Sequence, residues 1–185
     1  RRSADNARVL IGAYEAIAAA VDKQSSITPA AEWLLNNFHI VEEQIRDIRS
    51  LLPSSFFGEL PALDSGPLIG LPRIYGIAWA FTAHTDSRFD SGLLHRFVVA
   101  YQRVQPLTLA ELWALPIMLR IVMIENLRRL AARIVESING RELADHFVDQ
   151  LLGLGPSGTS NEPDWPFAED VPLPRASAAQ LYQRL

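Results

Sequence analysis

Between Leu112 and Ile124 the chain reads LWALPIMLRIVMI, apolar on every side of a helix apart from Arg120. Such a run has to be covered by protein or by lipid, and a bilayer span needs roughly 20 apolar residues. This one is shorter and charged, so it is predicted to be the central helix of a bundle. Thr108 followed by Glu111 is a capping-box spacing that opens the helix at Leu109, and the pattern continues to about Ser137. Pro116 lies near its start and is expected to kink it. Arg120 then needs a partner, because a cation in apolar surroundings is normally paired; Glu42, Glu43, Glu111 and Asp86 are the candidates for a buried ion pair.

The remaining elements are also helical. From Asp5 to Val21, Val9, Leu10, Ala13, Ile17 and Ala20 recur at helical spacing. Thr28 and Pro29 supply an N-cap and a first-turn proline for a second helix running to about Arg49, stopped by LLPSS. Seven prolines and glycines between 53 and 72 forbid long elements there, leaving one turn at SSFFGEL. Helices are predicted over PRIYGIAWAFTAHT and, after Asp90, over SGLLHRFVVAYQRV. Asn139-Gly140 should break the chain before a sixth helix, RELADHFVDQLL. No strand alternation or fixed repeat occurs. The reading is all-α: a single bundle of about six helices over 1–152 and a Gly/Pro-rich tail over 153–185. Trp165 and Phe167 are possible anchors in that tail, and SAAQLYQRL is open to a short terminal helix.

Composition narrows the function. The 185 residues are 49% hydrophobic and 21% charged, which suits a globular fold. A net charge of −4 gives no basic field for phosphates, so nucleic acid is not an expected partner. With no cysteine there is no disulfide framework and no thiolate metal site. The opening RRSADNARVL has neither an initiator methionine nor an apolar signal stretch, which reads as a piece of a longer protein.

Three constellations invite chemistry. On the second helix Trp33, Leu34, Phe38, Val41, Ile45 and Ile48 share one face, and Glu32, Asn36, His39 and Glu43 form a row on the other. A carboxylate-metal site would need inward ligands and a Glu-x-x-His partner helix, and no Glu-x-x-His occurs, so the row reads as a solvated face. Asn37 and Gln44, seven apart at the margin of the apolar face, are better placed to bond another helix. AHTDSRFD sets His84 beside Asp86 without a nucleophile elbow, so a helix end followed by an Asp90 cap accounts for it. GLGPSG at Gly153 to Gly158 matches the dinucleotide spacing but follows a helical stretch and contains Pro156, so it reads as a connection.

ITPAAEWLLNNFHIVEEQIRDIRSLLP, and then GLPRIYGIAWAFTAHTDSRFDSGLLHRFVVAYQRVQPLTLAELWALPIMLRIVMIENLRRLA, resemble the N-terminal region of cyclic β-1,2-glucan synthases; the likeness runs from about Asp5 to Arg133. The resemblance implies a long multidomain parent in the bacterial inner membrane. That parent would build a β-1,2-linked chain from UDP-glucose, carry it on the protein during elongation and close it into a ring. Its transferase module would use a divalent metal on Asp-x-Asp-type motifs, together with a Gln-x-x-Arg-Trp motif. Neither pattern occurs here, so no catalytic residue, cofactor or metal ligand is carried over to this chain.

The expectation is a non-catalytic helical module on the cytoplasmic side that helps assembly or handles the glucan. The alternative is an interaction module docking on other domains of the parent, or on a second copy, through Arg128, Arg129 and Arg133. A glucan groove would draw its stacking faces from Trp33, Tyr75, Trp79, Tyr101 and Trp113. Its polar contacts would come from Asn37, Gln44, His84 and Asp86. A metal enzyme built on Glu32, His39 and Glu43 is the weakest reading.

Overall fold

The computed structural model describes residues 2–51, 54–152 and 174–184, and every statement below concerns those. It is all-α. The helices are α1 (Arg2–Asp22), α2 (Pro29–Asn36), α3 (Phe38–Leu51), α4 (Ser54–Glu59), α5 (Arg73–His84), α6 (Ser91–Gln102), α7 (Leu109–Leu151) and α8 (Arg175–Arg184). Among the described residues the only extended pairing is an isolated antiparallel bridge, Ala62 to Pro72. Trp165, Phe167 and the Gly153 to Gly158 stretch lie outside the described residues.

Two compact units organise these helices. Among the described residues the first holds 2–8, 37–51 and 54–129, and the second holds 9–36, 130–152 and 174–184.

The first unit has its core where α5, α6 and the first part of α7 meet. Ile74, Ile77, Ala78 and Phe81 from α5 and Val98 from α6 pack with Ala114, Leu115, Met118, Leu119 and Val122 from α7. Phe81 and Phe97 meet edge to face at 5.7 Å. The loop before α5 is tighter than its prolines and glycines suggest. Leu63 N–H donates to Leu71 O, Gly70 N–H to Leu63 O and Arg73 N–H to Pro61 O at 2.7–2.9 Å. Gly66 and Gly70 take the left-handed backbone these turns require, at φ +80° and +79°. That loop fixes where α5 begins.

In the second unit Leu10, Ala13, Ile17 and Ala20 of α1 are buried, as their spacing predicts, and Val9 is more than a third exposed. Ala31 and Leu34 of α2, and Ala131, Ile134, Ile138, Ala144, Phe147 and Val148 of α7, are buried as well.

Two expectations from local sequence fail, each for a physical reason. The second helix is not continuous: it divides at Asn37 into α2 and α3, and Ile40 N–H turns back onto Asn37 O at 3.1 Å. Trp33, expected on the core face, is 53% exposed, and it stands about 100° round the helix from its buried neighbour Leu34. Conversely, Asn139-Gly140 does not break the helix, and α7 runs unbroken to Leu151. Glycine stands at 140 for closeness rather than for turning. A Cβ there would meet the Ser177 Oγ of α8 at 2.7 Å, and that hydroxyl donates to Gly140 O at 2.9 Å. The helix thus keeps its course and admits a neighbour.

Candidate functional site

The best-built polar site lies at the mouth of α7. Thr108 Oγ1 accepts from Glu111 N–H at 3.2 Å, and Glu111 Oε2 accepts from Thr108 N–H at 2.9 Å, which is the capping box the sequence announces. The same carboxylate meets Arg73 in the first turn of α5. Arg73 Nε–H donates to Oε1 at 2.8 Å and Nη2–H donates to Oε2 at 2.6 Å, and Nη2–H also reaches Pro106 O at 3.2 Å. The Glu111 side chain has no solvent exposure and that of Arg73 only 12%. Burial alone would push the Glu111 carboxyl up; the bonds from Arg73 and Thr108 outweigh it and hold the pKa below its usual value. Hydrogen bonding to Glu111 raises that of Arg73. The arrangement pins two helix starts together with a matched charge pair, leaving neither carboxylate oxygen unbonded.

This is the buried ion pair, and it is not where the sequence placed it. Arg120 meets Asp47 at 3.6 Å, and the two side chains are 42% and 44% exposed. A pair this open is screened by water and salt. Arg73 is missed by sequence reasoning because a cation at a helix start carries no periodic signal, and its partner lies 38 residues away.

A second polar chain joins α5 to the middle of α7. Tyr75 Oη–H donates to Glu125 Oε2 at 2.7 Å, and Arg129 donates to the other Glu125 oxygen at 3.4 Å. Arg128 is half-buried, and Arg129 and Arg133 are exposed.

Of the nine residues proposed for a groove, seven are spread over five helices, and Asn37 and Asp86 lie in the segments between helices. Trp79 and Trp113 are 38% and 76% exposed, and Tyr75 is buried against the core. Tyr101 is half-buried and donates to Gln105 Oε1 at 3.2 Å. Asn37 and Gln44 are half-buried at the head of α3 and along it. His84 and Asp86 form the C-terminal stop of α5: Ser87 N–H donates to Thr82 O at 2.9 Å, and Asp86 and Ser87 take left-handed backbone at φ 50° and 62°. That is a Schellman closure with aspartate where glycine is usual. Asp90 then caps α6, accepting from Leu93 N–H at 2.6 Å. Ser87 Oγ accepts from Asn126 Nδ2 at 3.2 Å, which engages the serine nearest His84 in helix packing. A concavity of about 10 Å³ lies beside this turn, floored by Phe81, Leu119 and Met123; it has room for one water and includes none of the nine.

Glu32, Asn36, His39 and Glu43 are all exposed, so the row is the wet side of α2 and α3. Among the described residues no three histidine, aspartate or glutamate side chains gather as a metal would require. Among the same residues, no helix is long and apolar enough to cross a membrane.

With Arg73 and Glu111 buried between two helix starts and Trp33 and Trp113 exposed, the described helices make an all-helical module. No family model matches the chain. It is similar to the cyclic β-(1,2)-glucan synthase NdvB of Rhizobium meliloti (strain 1021), with 44% identity over 154 residues, 83% of this chain. The chain spans about 5% of the length of that curated relative, and an N-terminal region of such a synthase is consistent with the match.

Proposed function

We propose that the chain is a non-catalytic helical module of a cyclic β-1,2-glucan synthase, and that its work is to hold other parts of the enzyme in place. The observation that carries the reading is the 44% identity over 154 residues to a protein of that name. It is supported by the chemistry of the buried carboxylate: Glu111 is fully engaged by Arg73 and Thr108, a structural use of that group. In this reading the parent's transferase module takes UDP-glucose with a divalent metal, and the parent lies in the bacterial inner membrane with this module on the cytoplasmic side.

Docking is favoured over glucan handling by the first turns of α7. Leu109 is 72% exposed and Trp113, one turn on, is 76% exposed, so two large apolar side chains stand together in water. Val104, on the segment leading into α7, is 88% exposed. Such a ridge suits contact with another domain of the synthase. Glucan handling keeps one observation in its favour, the open indole face of Trp113, on which a sugar ring can stack.

Titration of the chain with linear and cyclic β-1,2-glucans, followed by amide shifts, separates the two. Absence of saturable shifts at millimolar sugar is the outcome expected for a docking module, and localised shifts around Trp113 would move the assignment to glucan handling. Transfer of glucose from UDP-glucose by the isolated chain would overturn the non-catalytic reading altogether.

A further inference from the structure

The short helix α8 sits on the second half of α7 through an unusual balance of contacts. Leu181 is its one buried large apolar side chain, packed in a small cluster with Ala144, Phe147 and Val148. The rest of its attachment is polar. Ser177 bonds Gly140 O at 2.9 Å, Gln180 Nε2 donates to Asp145 Oδ1 at 2.7 Å, and Arg184 forks between Asp145 at 3.1 Å and Asp149 at 2.5 Å.

Two physical facts follow. A helix of 10 residues is below the length that holds itself together in water, so α8 is helical because it is docked. Asp145 and Asp149, one turn apart on α7, repel each other when Arg184 is gone, so the guanidinium both fastens α8 and relieves α7. These charges are about a third exposed, where dissolved salt reaches them.

We propose that α8 is a releasable latch, a segment that folds onto α7 when its ionic fastening is intact and leaves as a unit when it is not, with the rest of its unit remaining folded. Gly140 is the keyhole. Outside the glycine's own helix, the one atom within 4 Å of a Cβ at 140 is Ser177 Oγ. Gly140→Ala therefore strengthens α7, since alanine is the better helix former, and pushes α8 away.

Hydrogen exchange on the whole 185-residue chain tests this. On going from about 0.05 to 1 M sodium chloride, amides of α8 are expected to exchange roughly three- to tenfold faster, and those of α1 and of α7 beyond Ile138 to hold their rates. In Gly140→Ala, α8 amides should exchange as in an unstructured peptide while α7 keeps its protection. Adding Ser177→Ala to that variant removes the obstructing oxygen and should restore part of the α8 protection. Salt-insensitive α8 exchange, exchange of α8 and α7 in one cooperative event, or full α8 protection in Gly140→Ala would each overturn the latch.

Discussion

Arg73 and Glu111 stand 38 positions apart in sequence and share two hydrogen bonds, at 2.8 and 2.6 Å, between the starts of α5 and α7. The carboxylate also closes the capping box of α7, so one side chain settles both where that helix begins and which helix it begins beside. Removing either partner leaves a charge in a place built for two.

Arg73→Met should therefore cost about 3–5 kcal/mol in urea denaturation, because Glu111 is left buried and unpaired. Arg73→Met combined with Glu111→Leu should be markedly less destabilised than the sum of the single variants. Strict additivity of the two would show that the pair does not couple.

The same pair gives the protein an acid limb. The Glu111 pKa is lower in the folded chain than its ordinary 4.5. The stabilisation is thus fully present above 4.5 and drains away as the pH falls through the folded value. Tm measured from neutral pH downward should be level until the ordinary carboxylate range and then fall. Glu111→Gln should start lower and lose less across that acid range, and an unchanged acid slope in that variant would assign the limb to other carboxylates.

Capping and surface pairing should separate cleanly by magnitude. Asp90→Ala removes the bond from Leu93 N–H and should cost about 1 kcal/mol. Arg120→Ala, at a half-exposed pair, should cost less than about 1 kcal/mol, and this difference should shrink further in high salt. A loss of several kcal/mol at Arg120 would mean that its pair with Asp47 is far stronger than its exposure implies.

Met118 has no exposed surface and sits at the centre of the first unit's core. Met118→Ala should cost about 2–5 kcal/mol, as a large side chain lost from a packed core leaves a cavity. Differential scanning calorimetry reads this directly.

Trp113→Glu is the complementary experiment. With 76% of the residue in water, thermal stability should shift by less than about 0.5 kcal/mol. Synthesis of cyclic glucan by the full-length enzyme carrying the change should nevertheless drop if this ridge holds another domain. Unchanged synthesis would leave the ridge without a role in assembly.

Much of this protein was legible in one dimension. The apolar spacing of Leu10, Ala13, Ile17 and Ala20, the Thr108 and Glu111 box, the Asp90 cap and the exposed His39 row are local properties, set by residues within one or two turns of each other. The likeness to a glucan synthase was carried by long stretches of the sequence, and the identity of 44% over 154 residues bears it out.

What the tertiary structure decided is every relationship that spans the chain. Glu111 acquired Arg73 as a partner, Arg120 lost the burial that its apolar neighbours implied, and the second helix divided at Asn37. Gly140 became a point of contact instead of a break. Helical periodicity records which face of a segment is apolar. It does not record which segment will cover that face, or how close two backbones will come, because those depend on packing between residues that the chain itself holds far apart.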